Sequence, residues 1–286
     1  MGASTTHAWP APAKLNLFLH IVGRRADGYH NLQTVFQFLD YGDDVFITPR
    51  SDGTIARAGD IAGVAEANDL SLRAAQALRT HTGTKLGCDI RIEKRLPLGG
   101  GLGGGSSDAA TTLVVLNRLW DLRLPDDELA GIGLTLGADV PVFVRGFAAW
   151  AEGVGERLSP VSPPEPWYLV VTPPCAVDTA AAFAAPELMR DTPPMRWDDY
   201  LAGAGRNDFL PVVSRQYPAI AAALEWLTRF GKARLSGSGA SLFLDFPDRA
   251  KAEAALAQVP KEWSAFVARG LNRSPLRAVL EDIGRI

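Results

Sequence analysis

The spacing of apolar residues along the chain predicts a mixture of strands and helices. Strand-forming residues with partial alternation predict strands at Lys14–Val22, 44–50, 88–94 and Trp167–Thr172, a strand pair within 233–246 and a last strand at 263–271. Apolar residues at helical spacing predict helices at 69–82, 106–122, 126–136, 217–230 and 249–258. Glycines 83 and 137 follow the first and third of these helices, as expected of helix ends.

The stretch PVFVRGFAAWAEGVGERL, residues 141–158, is predicted to form a hairpin. Strands and helices alternate without a regular βαβ rhythm, so we predict an α+β fold. Six prolines lie between Pro160 and Pro174. Proline clusters often separate domains, so we predict an N-terminal domain at 1–162 and a C-terminal domain at 163–286.

The stretch RLPLGGGLGGGSSDAATTLVVLN, Arg95–Asn117, is the strongest local signal in the sequence. Six of the seven residues from Gly99 to Gly105 are glycine, and a predicted helix follows. The first N–H groups of a helix are free, and its dipole is positive at that end. Glycines let the backbone approach an anion closely, so the stretch predicts a phosphate-binding loop. A flexible linker is the alternative, but linkers rarely lead into an apolar helix with N-cap serines at 106 and 107.

Two familiar nucleotide-binding loops do not fit this stretch. A Walker A loop ends in Gly-Lys-Ser/Thr, whereas Ser106 follows Gly105 with no lysine. A GxGxxG pattern fits Gly99, Gly101 and Gly104, but so many glycines satisfy almost any such pattern. An acidic residue on a second strand at βαβ spacing is missing, which disfavours a Rossmann fold.

Composition adds broad limits on location and partners. The 286 residues are 47% hydrophobic and carry a net charge of −3, which disfavours a general nucleic-acid or membrane-surface binder. The two cysteines, Cys88 and Cys175, show no paired spacing and indicate a reducing compartment without a zinc site. The N-terminal apolar run is too short and too polar for a signal peptide or spanning helix, so we expect a cytoplasmic protein.

The stretch PLGGGLGGGSSDAA resembles the second motif of the GHMP kinases, whose loop wraps the phosphates of ATP ahead of a helix. Three further stretches resemble motifs of one branch of that family in the same order: Pro12–Asp43, LTLGADVPVFVRGFAAWAEGVGE and RLSGSGASLF. The match is collinear from about Trp9 to the C-terminus and weaker between Pro186 and Gln216. Four motifs in the same order indicate this family far more specifically than a single glycine loop does.

The resemblance implies a two-domain GHMP kinase fold, with an N-terminal domain like that of a ribosomal protein and a C-terminal ferredoxin-like α/β domain. It implies phosphorylation of the 2-hydroxyl of 4-diphosphocytidyl-2-C-methyl-D-erythritol, in the non-mevalonate route to isoprenoid precursors. ATP with Mg²⁺ is the implied co-substrate, and the implied partner is this small molecule, with no nucleic acid and no membrane. The sequence leaves a homodimer open.

The resemblance also implies that Asp139 is the catalytic base and Lys14 its partner. Phosphoryl transfer to a hydroxyl needs a proton acceptor near the nucleophile, and a nearby cation stabilises the developing negative charge. Taken alone, Asp139 between a helix and a strand would be a turn carboxylate, and Lys14 a solvated lysine. Their presence in two matching motifs favours the catalytic roles.

The nucleotide side is expected to follow the glycine loop. The resemblance implies ATP contacts from Lys94, Pro97, Leu98, Gly99, Gly100, Gly101, Leu102, Gly103, Gly104, Gly105, Ser106 and Ser107. In the family, the helix after the second strand region commonly opens with Asn-Leu, and the Asn lies near the adenine. This chain has Asn68-Asp69-Leu70, so Asp69 takes the position of that Asn. A carboxylate cannot donate a hydrogen bond as an amide does, so an adenine contact at this position would differ from the family's. An acidic metal cluster is not visible in the sequence, although Ser106 or Ser107 could supply one Mg²⁺ ligand.

The substrate side carries its own signature in DGYHNLQ, residues 27–33. Asp27-Gly28 predicts a hairpin turn. A cytosine ring needs a flat stacking partner and a hydrogen-bonding edge reader, which Tyr29 and His30 can supply. The resemblance implies that Phe183 completes a sandwich with Tyr29. The substrate-binding residues implied in this way are Asn16, Tyr29, His30, Thr179, Phe183, Gly237, Ser238 and Gly239.

Two other functions remain open at this point. One is another GHMP kinase acting on homoserine, mevalonate or a sugar, which would have no cytosine to hold. The other is a non-catalytic module that binds nucleotide or RNA. The acidic balance and the retained Lys14 and Asp139 count against that module.

Overall fold

The computed structural model of the protein describes residues 7–284, in which ten strands form one sheet. The strands are Ala8–Arg24 (β1), His30–Arg50 (β2), Ile55–Arg57 (β3), Gly87–Glu93 (β4), Ala149–Gly153 (β5), Arg157–Pro160 (β6), Trp167–Thr172 (β7), Arg234–Leu235 (β8), Leu242–Phe246 (β9) and Ser264–Leu271 (β10). The helices are Leu70–Thr82 (α1), Gly104–Leu119 (α2), Asp126–Leu134 (α3), Val140–Arg145 (α4), Thr179–Ala184 (α5), Trp197–Leu201 (α6), Leu210–Gln216 (α7), Pro218–Leu227 (α8), Arg249–Leu256 (α9) and Pro275–Gly284 (α10).

The sheet runs in the order β3-β4-β2-β10-β7-β9-β8, with β1 and β5 also paired to β2 and β6 paired to β5. The pair β3–β4 is parallel, and the other strand pairs are antiparallel. Such a sheet with helices packed against it is an α+β fold, so that prediction is confirmed.

The first two strands form a hairpin whose turn holds the predicted Asp27-Gly28 pair. Gly28 has a φ of +89°, which favours glycine, and Arg25 donates its backbone N–H to the carbonyl of Tyr29 at 2.7 Å. The predicted hairpin turn is therefore confirmed. It places Tyr29 and His30 at the start of β2, beside one end of β1.

Strand β2 is 21 residues long, whereas the sequence pattern predicted only its last third. Its pairing with β1 shifts register between Pro12 and Lys14, an irregularity that re-aims the side chains beyond it. Gly42 makes the close approach of the two strands possible, because a Cβ there would lie 2.2 Å from the carbonyl oxygen of Ala11.

Three buried apolar clusters hold the helices on the sheet. The first packs α1 to α4 and α10 around residues such as Leu113 and Leu276. The second packs α5 and α7 to α9 around residues such as Ile220. The third joins β1 to the C-terminal strands, with Leu15 and Phe243 both fully buried.

Most of the predicted elements are present, and several details differ from the prediction. The helices predicted at 69–82 and 126–136 are confirmed as α1 and α3, and the strands near 88–94, 167–172 and 263–271 as β4, β7 and β10. The predicted hairpin at 141–158 is correct only in β5 and β6, because its first part forms the helix α4. Proline is favoured at the first turn of a helix, and Pro141 occupies that position. Helices α5, α6, α7 and α10, strand β3 and the first part of β2 were not predicted.

The division of the chain into domains at 1–162 and 163–286 stays a prediction. Residues 1–6 and 285–286, at the outer ends of these two ranges, lie outside the described residues. The sheet crosses the proposed boundary, since β10 pairs with β2 through Gly270–Leu39 and Leu271–Phe38. None of the helices within residues 7–284 is both long enough and apolar enough to cross a membrane.

Candidate active site

The glycine-rich loop between β4 and α2 packs against a second glycine-rich turn, Ser236–Ser241. Ser236 donates its hydroxyl to the carbonyl of Gly101 at 2.9 Å, and Ser241 donates its backbone N–H to the carbonyl of Gly100 at 3.0 Å. A Cβ at Gly101 would lie 2.2 Å from the carbonyl oxygen of Ser236, and φ is +74° there. The glycine at 101 is therefore needed for this loop-to-loop contact, which the sequence pattern did not reveal.

Helix α2 begins at Gly104, and its N-cap is Gly103 with a φ of +74°. The predicted N-cap role of the two serines is wrong, because both lie inside the first turn and no side chain caps the helix. Ser106 faces the main cavity, and the hydroxyl of Ser107 is buried without a hydrogen-bond partner among the described residues. The uncapped N-terminus leaves backbone N–H groups available to an anion.

The predicted nucleotide-binding residues differ widely in exposure. Leu98, Gly99 and Gly105 are exposed, Lys94, Pro97, Gly101, Gly103, Gly104 and Ser106 are partly buried, and Gly100, Leu102 and Ser107 are buried. Leu102 belongs to the core, and its carbonyl accepts the backbone N–H of Lys14 at 2.9 Å. The loop is thereby attached to β1, whereas its contacts with ATP stay a prediction.

The two predicted catalytic residues form an ion pair at the wall of the cavity. The Nζ of Lys14 lies 3.2 Å from Oδ2 of Asp139. The side chain of Lys14 is 3% exposed, whereas that of Asp139 is 34% exposed and faces the cavity. Asp139 directly precedes α4, so the predicted strand after it is replaced by a helix. An accessible carboxylate beside a buried ammonium is an arrangement suited to taking a proton from a hydroxyl.

Asn16 fixes the position of the Lys14 amine. Its Oδ1 accepts from Nζ of Lys14 at 2.5 Å, and its Nδ2 donates to Oγ1 of Thr34 at 3.1 Å. The backbone N–H of Asn16 donates to Oγ of Ser236 at 3.2 Å. The predicted site residue Asn16 thus connects β1, β2 and the second glycine turn to the Lys14 amine.

Lys94 lies between two buried carboxylates that the sequence analysis did not single out. Its Nζ donates to Oδ2 of Asp108 at 2.8 Å and also to Oδ2 of Asp43. Burial alone would lower the pKa of Lys94, but the charges of Asp108 and Asp43 outweigh it and raise the pKa. Burial raises the pKa of Asp108, with Lys94 opposing and Asp43 adding to the rise. The Lys94 ammonium is therefore already paired, and its predicted nucleotide contact stays a prediction.

Asp43 also anchors the start of the glycine loop. Its Oδ1 accepts the backbone N–H groups of Arg95 and Leu96 at 2.6 and 2.8 Å. One buried carboxylate of β2 thus holds both the Lys94 side chain and the backbone that leads into the loop.

Asp69, at the position of the family's asparagine, has a structural task. Its Oδ1 accepts the backbone N–H groups of Ser71 and Leu72 at 2.9 and 3.4 Å and so caps α1. Asp and Asn are equally good N-caps, which explains physically why the aspartate fits here.

A cavity of about 780 Å³ connects the Lys14–Asp139 pair to the predicted substrate residues. Its lining contains the predicted residues Lys14, Asn16, Tyr29, His30, Ser106, Asp139, Thr179, Phe183, Gly237 and Ser238. It also contains Arg24, Thr34, Phe36, Val154 and Arg190, which were not predicted. The first four lie within stretches that resemble family motifs, but the sequence alone does not show which side chains of a motif face the cavity. The structure does not bring Gly239 into this lining. A Cβ at Gly239 would instead face Val177, at 3.2 Å.

Tyr29, His30 and Phe183 all line the aromatic end of the cavity, and the sandwich of a cytosine between Tyr29 and Phe183 stays a prediction. The ring of Phe183 stacks on His30, with centroids 5.0 Å apart and planes 19° apart, whereas Tyr29 is 66% exposed. Burial is the main cause that lowers the pKa of His30, and the positive charges of Arg190 and Arg24 lower it further. The Nε2 of His30 is buried without a hydrogen-bond partner in the described part of the chain. A neutral imidazole with an unpaired nitrogen can read a polar ligand edge.

Thr179 joins this end of the cavity to the second glycine turn. Its Oγ1 lies 2.7 Å from Oγ of Ser238, and both residues line the cavity. Among the described residues, no three histidine, cysteine, aspartate or glutamate side chains are grouped so that they could hold a metal ion.

Comparisons with known proteins agree with this geometry. Residues 69–147 match the family model of the GHMP kinases N terminal domain, and residues 190–265 match that of the GHMP kinases C terminal. The 4-diphosphocytidyl-2-C-methyl-D-erythritol kinase of Halorhodospira halophila is 57% identical over 281 residues, covering 97% of each chain. The enzyme of the same name from Nitrosococcus oceani is 55% identical, over 96% of this chain and 99% of that one.

Solved structures show the same fold. A crystal structure of 4-(cytidine 5'-diphospho)-2C-methyl-D-erythritol kinase matches with a TM-score of 0.78 and 31% identity, over 92% of this chain and 99% of that chain. The mevalonate kinase of Methanococcus jannaschii matches with a TM-score of 0.69 and 18% identity, over 95% of this chain and 100% of that chain, which supports the fold alone. With both family domains matched and relatives of this identity along nearly its whole length, the chain belongs to the GHMP kinase family.

Proposed function

We propose that this chain transfers the γ-phosphoryl group of ATP to the 2-hydroxyl of 4-diphosphocytidyl-2-C-methyl-D-erythritol. The products are the 2-phosphate and ADP, in the non-mevalonate route to isoprenoid precursors. The observation that carries the proposal is the Lys14–Asp139 pair on the wall of a cavity with Ser106 of α2 at one side and His30 and Phe183 at another. The names of the full-length relatives support the same acceptor.

The chemistry follows from the positions of the two charges. The carboxylate of Asp139 accepts the proton of the acceptor hydroxyl while the hydroxyl oxygen bonds to the γ-phosphorus of ATP. The bond between the γ-phosphorus and the oxygen that bridges it to the β-phosphate breaks, and ADP leaves. The Lys14 ammonium, 3.2 Å from that carboxylate, offsets the negative charge that develops on the attacking oxygen and the transferring group. Because Lys14 is buried and held by Asn16, little reorganisation is needed during the reaction.

The nucleotide phosphates are proposed to lie at the uncapped N-terminus of α2 and the glycine loop. Mg²⁺ is proposed to enter with ATP, since this ion binds mainly through nucleotide phosphates and water. The hydroxyls of Ser106 and Ser107 fit such an ion, because one faces the cavity and the other has no hydrogen-bond partner among the described residues. The bound ion would neutralise charge on the phosphoryl oxygens. The homodimer and the cytoplasmic location stay predictions.

A coupled assay of ADP release tests the proposed acceptor directly. Purified protein is given ATP and Mg²⁺ with one acceptor at a time: the cytidyl alcohol, mevalonate or homoserine. Fast ADP release with the cytidyl alcohol alone is expected. Release with mevalonate or homoserine, and none with the cytidyl alcohol, would assign the chain to another GHMP kinase activity.

Removing the ring of Tyr29 is expected to weaken acceptor binding alone. If the exposed ring stacks on cytosine, Tyr29→Ala costs about 1–3 kcal/mol of binding. That energy corresponds to a rise of about ten- to hundredfold in the acceptor KM. The ATP KM and the melting temperature should barely change, because Tyr29 is 66% exposed. Steady-state kinetics and thermal unfolding measure these quantities.

Leu201→Ala is the matched control for Tyr29→Ala, since Leu201 is 54% exposed and lies outside the cavity lining. Equal rises in both KM values for Tyr29→Ala would remove Tyr29 from the pocket and leave it as packing for the hairpin turn.

Acceptor binding is also expected to depend on pH through His30. The folded protein holds the pKa of His30 below its ordinary value of 6.5, so the imidazole is neutral at pH 7. The acceptor KM should stay flat from pH 8 to pH 6.5 and rise only at lower pH, where the ring gains a proton and loses its acceptor nitrogen. His30→Gln should abolish this dependence. A KM profile that rises equally in the variant would assign the titration to another group.

A further inference from the structure

Arg190 makes an unusual set of contacts just beyond helix α5. Its Nη2 donates to the carbonyls of Phe183 and Ala185 at 2.8 and 2.7 Å, and its Nη1 donates to the carbonyl of Leu188 at 3.0 Å. The last carbonyls of a helix have no partner within the helix, and a cation there also complements the helix dipole. The guanidinium of Arg190 therefore closes the C-terminal end of α5.

Helix α5 carries two residues of the cavity lining, Thr179 at its first position and Phe183 near its last. Its first turn is held by the side chain of Asp178, which accepts the N–H of Ala181 at 3.0 Å, and by the Thr179–Ser238 contact. A helix of six residues has little stability of its own, so its placement depends on such contacts. At its other end, the contacts of Arg190 add to the packing of buried Ala185 and to the edge contact between the rings of Phe183 and Phe209.

The charge of Arg190 is not used in an ion pair. Within residues 7–284, no carboxylate oxygen lies within 4.0 Å of its guanidinium, although Asp191 is its chain neighbour. Arg190 itself lines the cavity, and so does Arg24. Their positive charges add to burial in lowering the pKa of His30, the ring on which Phe183 stacks.

We propose that Arg190 is a positioning residue for the acceptor site: its three backbone contacts fix α5, and thereby hold Phe183 and Thr179 in place. This inference rests on the proposed function, because it concerns the cytidyl end of the same cavity. Arg190 acts through the helix and needs no contact with the reacting atoms. Its positive charge also adds to the effect of burial in lowering the pKa of His30.

Two variants separate the backbone contacts from the charge. Arg190→Met keeps the length of the side chain and removes both the donors and the charge. Arg190→Lys keeps the charge, but one ammonium cannot reproduce the planar fork that spans three carbonyls. Arg215→Met is the matched control, because Arg215 pairs with Glu187 near the same segment but lies outside the cavity lining.

We expect both Arg190 variants to raise the acceptor KM by about tenfold or more, the effect of a misplaced stacking ring. The ATP KM and the melting temperature should stay close to those of the Arg215→Met control. An unchanged acceptor KM in Arg190→Met, or full recovery in Arg190→Lys, would overturn the proposal. Equal rises in both KM values together with a lower melting temperature would also overturn it, because they indicate a merely structural role.

A proton NMR titration of the histidine rings supplies a readout that does not depend on turnover. The chain has four histidines, so the His30 signal is assigned from its loss in His30→Gln. The pKa of His30 should rise in Arg190→Met and stay near the original value in Arg190→Lys. An identical titration in all three proteins would contradict the electrostatic effect of Arg190.

The failure of this inference is distinguishable from failure of the proposed function. If the unmodified protein releases no ADP with the cytidyl alcohol, the proposed function fails. If it does, and Arg190→Met has the same acceptor KM, only the role of Arg190 fails.

Discussion

Asp139→Asn is expected to lower kcat by about a hundredfold or more, which is the loss of rate typical when an acid–base group is removed. The amide keeps the shape of the side chain but cannot accept the hydroxyl proton. Lys14→Met should have an effect of similar size, because the methionine fills the buried site without the charge that offsets the developing negative charge. ATP binding should change little in either variant, since the proposed phosphate site lies in the glycine loop and α2. Steady-state kinetics with ATP titration measures both constants.

Asp127→Asn and Lys251→Met are the matched controls, because both charges lie in exposed pairs outside the cavity lining. Exposed pairs of this kind contribute little to stability, so these variants should keep near-normal turnover. Near-normal turnover in Asp139→Asn would instead remove Asp139 from the role of base. A large loss in Lys14→Met together with a collapsed melting temperature would indicate a structural lysine.

Gly103→Val is expected to damage both ATP binding and turnover. The φ of +74° at Gly103 is strained for any residue with a side chain, at a cost of about 1 kcal/mol or more. A Cβ there would also lie 2.8 Å from the ring of Phe143 and 3.1 Å from Cγ of Lys14. The ATP KM should therefore rise by about tenfold or more, and kcat should fall because Lys14 is displaced from Asp139.

Gly203→Val is the matched control for the glycine variant. Gly203 has a φ of +91°, and a Cβ there would meet open space, so this change adds comparable strain without a clash. Circular dichroism and thermal unfolding on the same samples separate loss of the site from loss of the fold. An ATP KM in Gly103→Val equal to that of the unmodified protein would show that the loop does not bind the phosphates.

The sequence predicted those parts of the molecule that depend on local order. The turn at Asp27-Gly28 and the end of α1 at Gly83 follow from backbone preferences of a few neighbouring residues, and both were predicted correctly. The first part of β2 was missed because the buried polar residues Gln33, Thr34 and Gln37 interrupt its apolar positions. Partners for two of these side chains come from segments that are distant in the sequence. The segment now seen as α4 is rich in valine and phenylalanine, which favour strands locally, but it is short and fully packed.

Site residues that lie within a sequence motif could be predicted, whereas contacts between residues of distant elements could not. Lys14 and Asp139 lie in two separate motifs, and the structure brings them within 3.2 Å. The pairing of Lys94 with Asp43 and Asp108 requires strand β2, the end of β4 and helix α2 to meet, which no local pattern encodes. The stacking of Phe183 on His30 likewise depends on where α5 lies against the hairpin.

Helix α10 packs against the core that the earlier elements form. Leu276 is buried in the first apolar cluster, and Arg277 donates to the carbonyl of Val144, which is 133 residues earlier in the chain. A ribosome releases the N-terminal segments first, and they begin to fold in that order. The apolar surface that α10 covers therefore stays open to water, and to chaperones, until α10 itself has been synthesised.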